Sequence, residues 1–200
     1  MVVAVEGMDG AGKTVIARHI AEKHGFEFME KPLQYFYNDG PEGHYNDLLT
    51  VSSRLYELND NVIKTWYFSL GNLYATRVFS DKNIVFDRHL VSNYYWNADE
   101  ESAKVFDLLI PLGGVPDMTF LLYASPEVRM QRIHDRNPND PDLTDPDMLD
   151  DGREKMLYFL NKYNMPYVFI DTDNKSLDEV KEIVDSDMER LKGQTRKLVK

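Results

Sequence analysis

The chain of 200 residues contains no cysteine, which excludes disulfides, thiolate catalysis and cysteine-ligated zinc. Its five histidines are scattered and lack the paired spacing of a metal site. No apolar run approaches the roughly 20 residues that cross a bilayer, and Met1 to Val5 is too short for a signal-peptide core. The expectation is therefore a cytoplasmic protein with no membrane contact. Positive charge is also scarce: 23 Lys and Arg against 34 Asp and Glu give a formal net charge of −11. That sign disfavours long contact with a polyanionic backbone, so no nucleic-acid partner is expected, although a local basic pocket can still hold a small phosphate ligand. Internal repeats and low-complexity segments are missing as well, and the length suits one domain with a full core.

What the chain does have is short apolar runs alternating with helical periods. Residues 2 to 5 read as a buried strand running into a turn at Gly7. Lys13 to His24 carries Ile16 and Ile20 four apart, with Gly25 placed to end a helix. Phe26 to Met29 reads as a second strand, and Gln34 to Tyr45 as a long loop of the kind that is often functional. Asp47 to Ser80 reads as helix in two pieces, Asn83 to Phe86 as a third strand ending at Asp87-Arg88, and the chain beyond as helix to about Leu112. Met118 to Tyr123 is continuously apolar, as in a strand covered on both faces. Pro126 opens a helix to Arg136. Asn137 to Asp147, with three prolines and four aspartates, is a polar loop that could act as a lid over about 136–147. Tyr167 to Ile170 makes a fifth strand and Leu177 to Leu191 a last amphipathic helix. The domain is expected over 1–191, with 192–200 a disordered basic tail. Five strands alternating with helices predict an α/β protein whose parallel sheet has helices on both faces, with ligands at the strands' carboxyl ends.

Gly7-Met8-Asp9-Gly10-Ala11-Gly12-Lys13-Thr14 fits G-x-x-x-x-G-K-S/T in full, between a predicted strand and a predicted helix. In such a loop the main-chain N–H groups of Gly7, Gly10, Ala11 and Gly12 turn inward around phosphates, backed by the helix dipole. Lys13 would reach the β- and γ-phosphates of ATP, and Thr14 would ligate Mg²⁺. A GTPase would also need D-x-x-G and N-K-x-D; Asn174-Lys175-Ser176-Leu177-Asp178 misses the second by one residue.

Asp87 and Arg88 close the third strand at the same sheet edge. Asp87 is a candidate to hold a Mg²⁺-bound water and Arg88 to clamp the acceptor by bidentate contacts; a surface ion pair is the alternative. Arg129, Arg132 and Arg136 step by three and four toward the proline-aspartate loop. Arginines on a closing lid supply positive charge over a migrating phosphoryl group, while solvated helix arginines are the plainer use. Trp66-Tyr67-Phe68 and Tyr94-Tyr95-Trp96 could stack on a base or pack a core.

In these residues the chain resembles the P-loop nucleoside and nucleotide kinases, and most closely the thymidylate kinases. Glu6 to Thr14 is similar to that family's E-G-x-D-G-A-G-K-S/T, and Asp87-Arg88-His89-Leu90-Val91-Ser92-Asn93 to its D-R-Y/H-x-x-S-S/N. The resemblance implies the three-layer P-loop kinase fold, five parallel strands in the order 2-3-1-4-5 with helices on both faces and a lid. It implies phosphoryl transfer from ATP with Mg²⁺ to a dTMP-like acceptor, and a homodimer. By the same likeness Asp9 approaches the sugar and the metal region, Arg88 the acceptor phosphate, Ser92 and Asn93 the acceptor base, and Phe68 stacks on the base. Arg132 and Arg136 on the lid replace an arginine that is missing from the phosphate loop. Departures fall on the acceptor side: Asn72 stands where the family has an arginine, Trp96 where it has a tyrosine, and Met29-Glu30-Lys31-Pro32 lacks the arginine of R-E-P-G.

Two other functions fit parts of the pattern. A deoxynucleoside kinase would use Glu30 as general base on a neutral 5′-hydroxyl, its place resembling the glutamate of that family's E-P motif, although Asp87-Arg88-His89 replaces the usual E-R-S. A non-catalytic nucleotide-binding protein would bind ATP without turnover, and would have no physical need of Lys13, Thr14, Asp87 and the lid arginines together.

Overall fold

The computed structural model describes residues 1–30, Leu33 and 45–198. Its strands are β1 (Val2–Glu6), β2 (Glu27–Met29), β3 (Ile84–Asp87), β4 (Met118–Tyr123) and β5 (Tyr167–Asp171). They form one sheet in the order β2-β3-β1-β4-β5, every neighbouring pair parallel. This is the architecture the resemblance implies. Parallel neighbours need helical crossovers, and these cover both sheet faces. Along β4 the period-2 alternation splits the core: Phe120 and Leu122 pack with Ile16, Ile20, Val184 and Met188, whereas Leu121 packs with Leu90, Phe106 and Phe159.

The described helices are α1 (Lys13–His24), α2 (Tyr45–Glu57), α3 (Asn61–Val78), α4 (Leu90–Asn97), α5 (Ala103–Gly113), α6 (Pro126–Arg136), α7 (Arg153–Lys162) and α8 (Leu177–Leu198). The predicted division of Asp47–Ser80 falls at Asp60, whose carboxylate accepts from Ile63 N at 2.9 Å and caps α3. The stretch expected as one helix to Leu112 is two. Asp99 Oδ1 accepts from the N–H groups of Glu101 and Ser102, and that local turn outcompetes the helix. The proline-aspartate loop is expected to lie between helices, and α7 is the helix that follows it. The final helix continues to Leu198, past the expected end at Leu191, so residues 192–198 are helical rather than an irregular tail. The loop expected over Gln34–Tyr45 lies outside the described residues except for Tyr45, which opens α2. The segment expected as a lid holds two short 3₁₀ turns, Pro141–Thr144 and Pro146–Leu149, each entered through an aspartate cap followed by proline. Among the described residues no helix is long and apolar enough to cross a membrane.

Register fixes where the site forms. Val5 lies beside Asp87 on one side and Phe120 on the other, so the carboxyl ends of β1, β3 and β4 open onto one edge. The phosphate loop leaves β1 there.

Candidate active site

Residues 7–12 curl tightly enough that two positions exclude a side chain. A Cβ on Gly7, at φ 141°, would lie 2.2 Å from the Leu122 carbonyl oxygen; one on Gly10, at φ 82°, would lie 2.7 Å from that of Arg129. The loop is thus pressed between β4 and α6. Its turn is closed by Ala11 N donating to Met8 O at 3.2 Å. Lys13 is buried; its ammonium donates to Met8 O at 2.8 Å and sits 3.4 Å from Asp9 Oδ1. Burial and then the nearby Arg88 charge pull the Lys13 pKa down to about 8, against the opposing pull of Asp9 and Asp87. A phosphate at this position would relieve both costs.

Thr14 Oγ1 donates to Asp87 Oδ2 at 2.5 Å. The other carboxylate oxygen, Asp87 Oδ1, is buried with no hydrogen-bond partner among the described residues. A buried carboxylate oxygen left unpaired is costly, and together with the Thr14 hydroxyl it offers hard oxygen donors of the type Mg²⁺ takes. The described residues hold no cluster of three or more acidic or histidine side chains that could bind a metal by themselves. Mg²⁺ is commonly held by one or two protein oxygens plus phosphates and waters, and the unpaired Asp87 oxygen beside the Thr14 hydroxyl fits that donor set.

Arg88 follows Asp87 with φ 74°, a left-handed conformation that costs about 1–3 kcal/mol for a non-glycine residue. Its N–H donates to Val5 O at 3.0 Å, and its guanidinium pairs with Asp9 Oδ1. Burial would raise the Asp9 pKa, but Lys13 and Arg88 outweigh it and hold the carboxyl below its usual range. Asp9 thus gathers Lys13 and Arg88, and Asp87 gathers Thr14, at the same sheet edge.

Glu6 is a member of this frame that sequence reasoning missed. It is fully buried at the end of β1 and accepts from His89 N at 2.8 Å, Val91 N at 3.0 Å, Ser92 N at 3.2 Å and the Ser92 hydroxyl. Burial raises its pKa, opposed by those hydrogen bonds and by the Arg88 charge. The carboxylate caps the amino terminus of α4. The signal available was an acidic residue inside a buried strand end, which has to find donors.

The arginines of α6 part company. Arg129 is buried rather than solvated, and Arg132 donates to Thr172 O at 2.8 Å, Thr172 Oγ1 at 3.0 Å and Gly10 O at 3.5 Å. Arg136 is exposed and pairs with Asp140 at 2.7 Å, inside the proline-aspartate segment.

Among the residues expected on the acceptor side, Asn93 Nδ2 donates to Thr65 O at 3.0 Å and Ser69 Oγ at 2.7 Å, and its Oδ1 accepts from Asn97 at 2.8 Å. Asn93 and Ser92 thus have their polar atoms engaged within the protein. Asn72 is buried on α3, one turn from half-buried Phe68, whose ring lies 5.6 Å from that of Tyr56 and 5.2 Å from that of Tyr67. Trp96 is partly exposed, edge-on to Tyr95 at 4.7 Å. Glu30 is exposed and lies 3.8 Å from Arg18 of α1.

Comparison with known proteins agrees with this geometry. The family model described as thymidylate kinase matches residues 54–184. A relative from Archaeoglobus fulgidus named "Probable thymidylate kinase" is 30% identical, over 92% of this chain and 92% of its own length. Relatives of the same name from Picrophilus torridus and Methanocaldococcus jannaschii are 26% and 24% identical, covering 84% and 90% of this chain and 81% and 91% of their own lengths. Among solved structures, deoxyadenosine kinase from M. mycoides with bound dATP superposes with a TM-score of 0.64 at 20% identity, over 94% of this chain and all of that one. The same enzyme with dCMP and dCDP superposes at 0.65 and 19%, over 95% of this chain and all of that one. At such identity the superpositions speak for the fold alone. The chain belongs to the thymidylate kinase family and is an ATP-dependent nucleotide kinase.

Proposed function

We propose that the chain transfers the γ-phosphoryl group of ATP to a dTMP-like deoxynucleoside monophosphate. The observation that carries this is the Arg88–Asp9 ion pair: a guanidinium held beside the phosphate loop, ready to exchange its carboxylate for the acceptor's phosphate. In this proposal the main-chain N–H groups of Gly7, Gly10, Ala11 and Gly12 cradle the ATP phosphates, and Lys13 exchanges Met8 O for a phosphate oxygen. Thr14 and Asp87 would hold Mg²⁺, which would supply charge neutralisation on the phosphates. Arg88 takes the acceptor phosphate and frees Asp9 toward the sugar. Arg132 and Arg136, with the lid at about 136–147, bring positive charge over the migrating group. Phe68 offers a face to the base, and Asn72 and Trp96 shape its surroundings. The kinase domain is proposed over 1–191, with the end of α8 continuing beyond it to Leu198.

A monophosphate acceptor arrives ionised, so positioning and charge neutralisation suffice. A nucleoside acceptor would need a base near its hydroxyl. Glu30 is the candidate, and its contact with exposed Arg18 argues against that use. The deoxynucleoside kinase named among the structural neighbours keeps this second reading worth testing. Homodimer formation is proposed on the face where Trp66 and Leu70 of α3 are 42% and 36% exposed and Leu108 and Leu112 of α5 are 59% and 50% exposed. Arg77 Nη2 donates to Leu112 O at 2.9 Å and brings the two stripes alongside. Sedimentation equilibrium giving a monomer at micromolar concentration would remove that part.

A panel of nucleosides and nucleoside monophosphates with ATP and Mg²⁺, scored for ADP release, tests the whole. Turnover on dTMP above the other monophosphates is expected. Turnover confined to nucleosides would replace this function with the second one.

A further inference from the structure

Arg129 is the largest side chain enclosed without exposure in the described protein. Its hydrogen bonds end on main-chain oxygens: Nε donates to Ala124 O at 3.2 Å, Nη1 to Asp9 O at 3.4 Å, and Nη2 to Met148 O at 2.9 Å and Asp150 O at 2.6 Å. These acceptors belong to three separate stretches of chain: the end of β4, the phosphate loop and the segment returning from the proline-aspartate turns to α7. Burying a guanidinium is expensive, and an apolar side chain of similar volume would fill the space at less cost. What the apolar substitute could not do is hold three segments at fixed spacing. Arg is suited to that task because its donors fan out in one rigid plane.

Other contacts tighten the same junction. Gly152 lies so close to the loop that a Cβ there would come within 2.6 Å of Met8 Sδ. The Tyr95 hydroxyl of α4 donates to Asp150 Oδ2 at 2.6 Å. Residues 148–152 are therefore clamped between the phosphate loop and α4. Asp9, whose carbonyl Arg129 holds, is the residue whose carboxylate gathers Lys13 and Arg88. A shift of that carbonyl carries the carboxylate with it.

We propose that Arg129 is a positioning residue for phosphoryl transfer: it locks the segment returning from the lid to the phosphate loop, so that the two take up one relative geometry. The inference rests on the phosphoryl-transfer function proposed above, with the lid as part of it. Arg129→Lys keeps the charge but cannot reach acceptors in three segments. Amide hydrogen exchange in the free protein is read at residues 8–11 and 148–152, alongside thermal melting, kcat and KM for ATP. Exchange is expected to accelerate in both segments together. In the folded variant kcat should fall about a hundredfold, as for ångström-scale misplacement of reacting groups, with KM for ATP changing far less. Acceleration in one segment alone, or a kcat loss no larger than the loss of folded protein, would overturn the proposal. If Arg129→Lys does not fold, Tyr95→Phe carries the test by loosening 148–152 from the other side. Coupled acceleration at 8–11 supports the lock, and acceleration confined to 148–152 defeats it. Exchange needs no acceptor, so an error in the assigned substrate leaves this result readable by itself.

Discussion

The proposed donor and acceptor halves of the site are built differently. On the donor half, Gly7 to Thr14 is contiguous, closed by its own hydrogen bonds and backed against β4 and α6 with no room for side chains at two glycines. On the acceptor half, Phe68, Asn72, Ser92, Asn93 and Trp96 come from two helices, and the polar atoms of Ser92 and Asn93 are spent joining those helices to each other and to β1. The donor half has one workable arrangement. The proposed acceptor half spends some residues on its frame and leaves Phe68, Asn72 and Trp96 as the candidates for recognition, two of them at positions where the chain departs from the family pattern.

Substitutions on the two halves sharpen this contrast. The largest effect is expected for Lys13→Ala: turnover should fall by about 10³-fold, the scale of removing a group that stabilises transition-state charge, while circular dichroism shows a folded protein. Wild-type activity in that variant would end the phosphate-loop assignment. Next, Arg88→Gln should weaken acceptor use by about tenfold to a hundredfold, the range of a lost hydrogen bond to a charged group at about 1.5–3 kcal/mol, with KM for ATP little changed. An equal rise in both KM values would erase the division into halves. The smallest effect is expected for Glu30→Gln, whose exposed ion pair is worth less than about 1 kcal/mol. If its activity on nucleosides instead drops several hundredfold, within the 10²–10⁴ range of a general base, the acceptor is a nucleoside.

Legibility in the sequence follows the range of the interactions. The strand-loop-helix unit, the five strands and the placement of Asp87 and Arg88 were readable because strand patterning and the loop motif are local. The break after Asn97 was written in Asp99 and Ser102 but hidden by the apolar period on either side. Glu6 was unreadable as a cap because its partners lie more than 80 residues away. The arginine stripe of α6 shows the same limit. Spacing puts Arg129, Arg132 and Arg136 along one track, yet only the return of residues 148–150 over the first of them makes it buried while the last stays in solvent.

The buried Glu6 carboxylate has one more implication. It rivets the strand that feeds the phosphate loop to the start of α4, next to Arg88. In the proposed function, changes in nucleobase preference could therefore accumulate on α3, at positions such as 72, without disturbing the alignment of the two phosphates. A kinase made this way can drift in what it accepts long before it loses how it transfers.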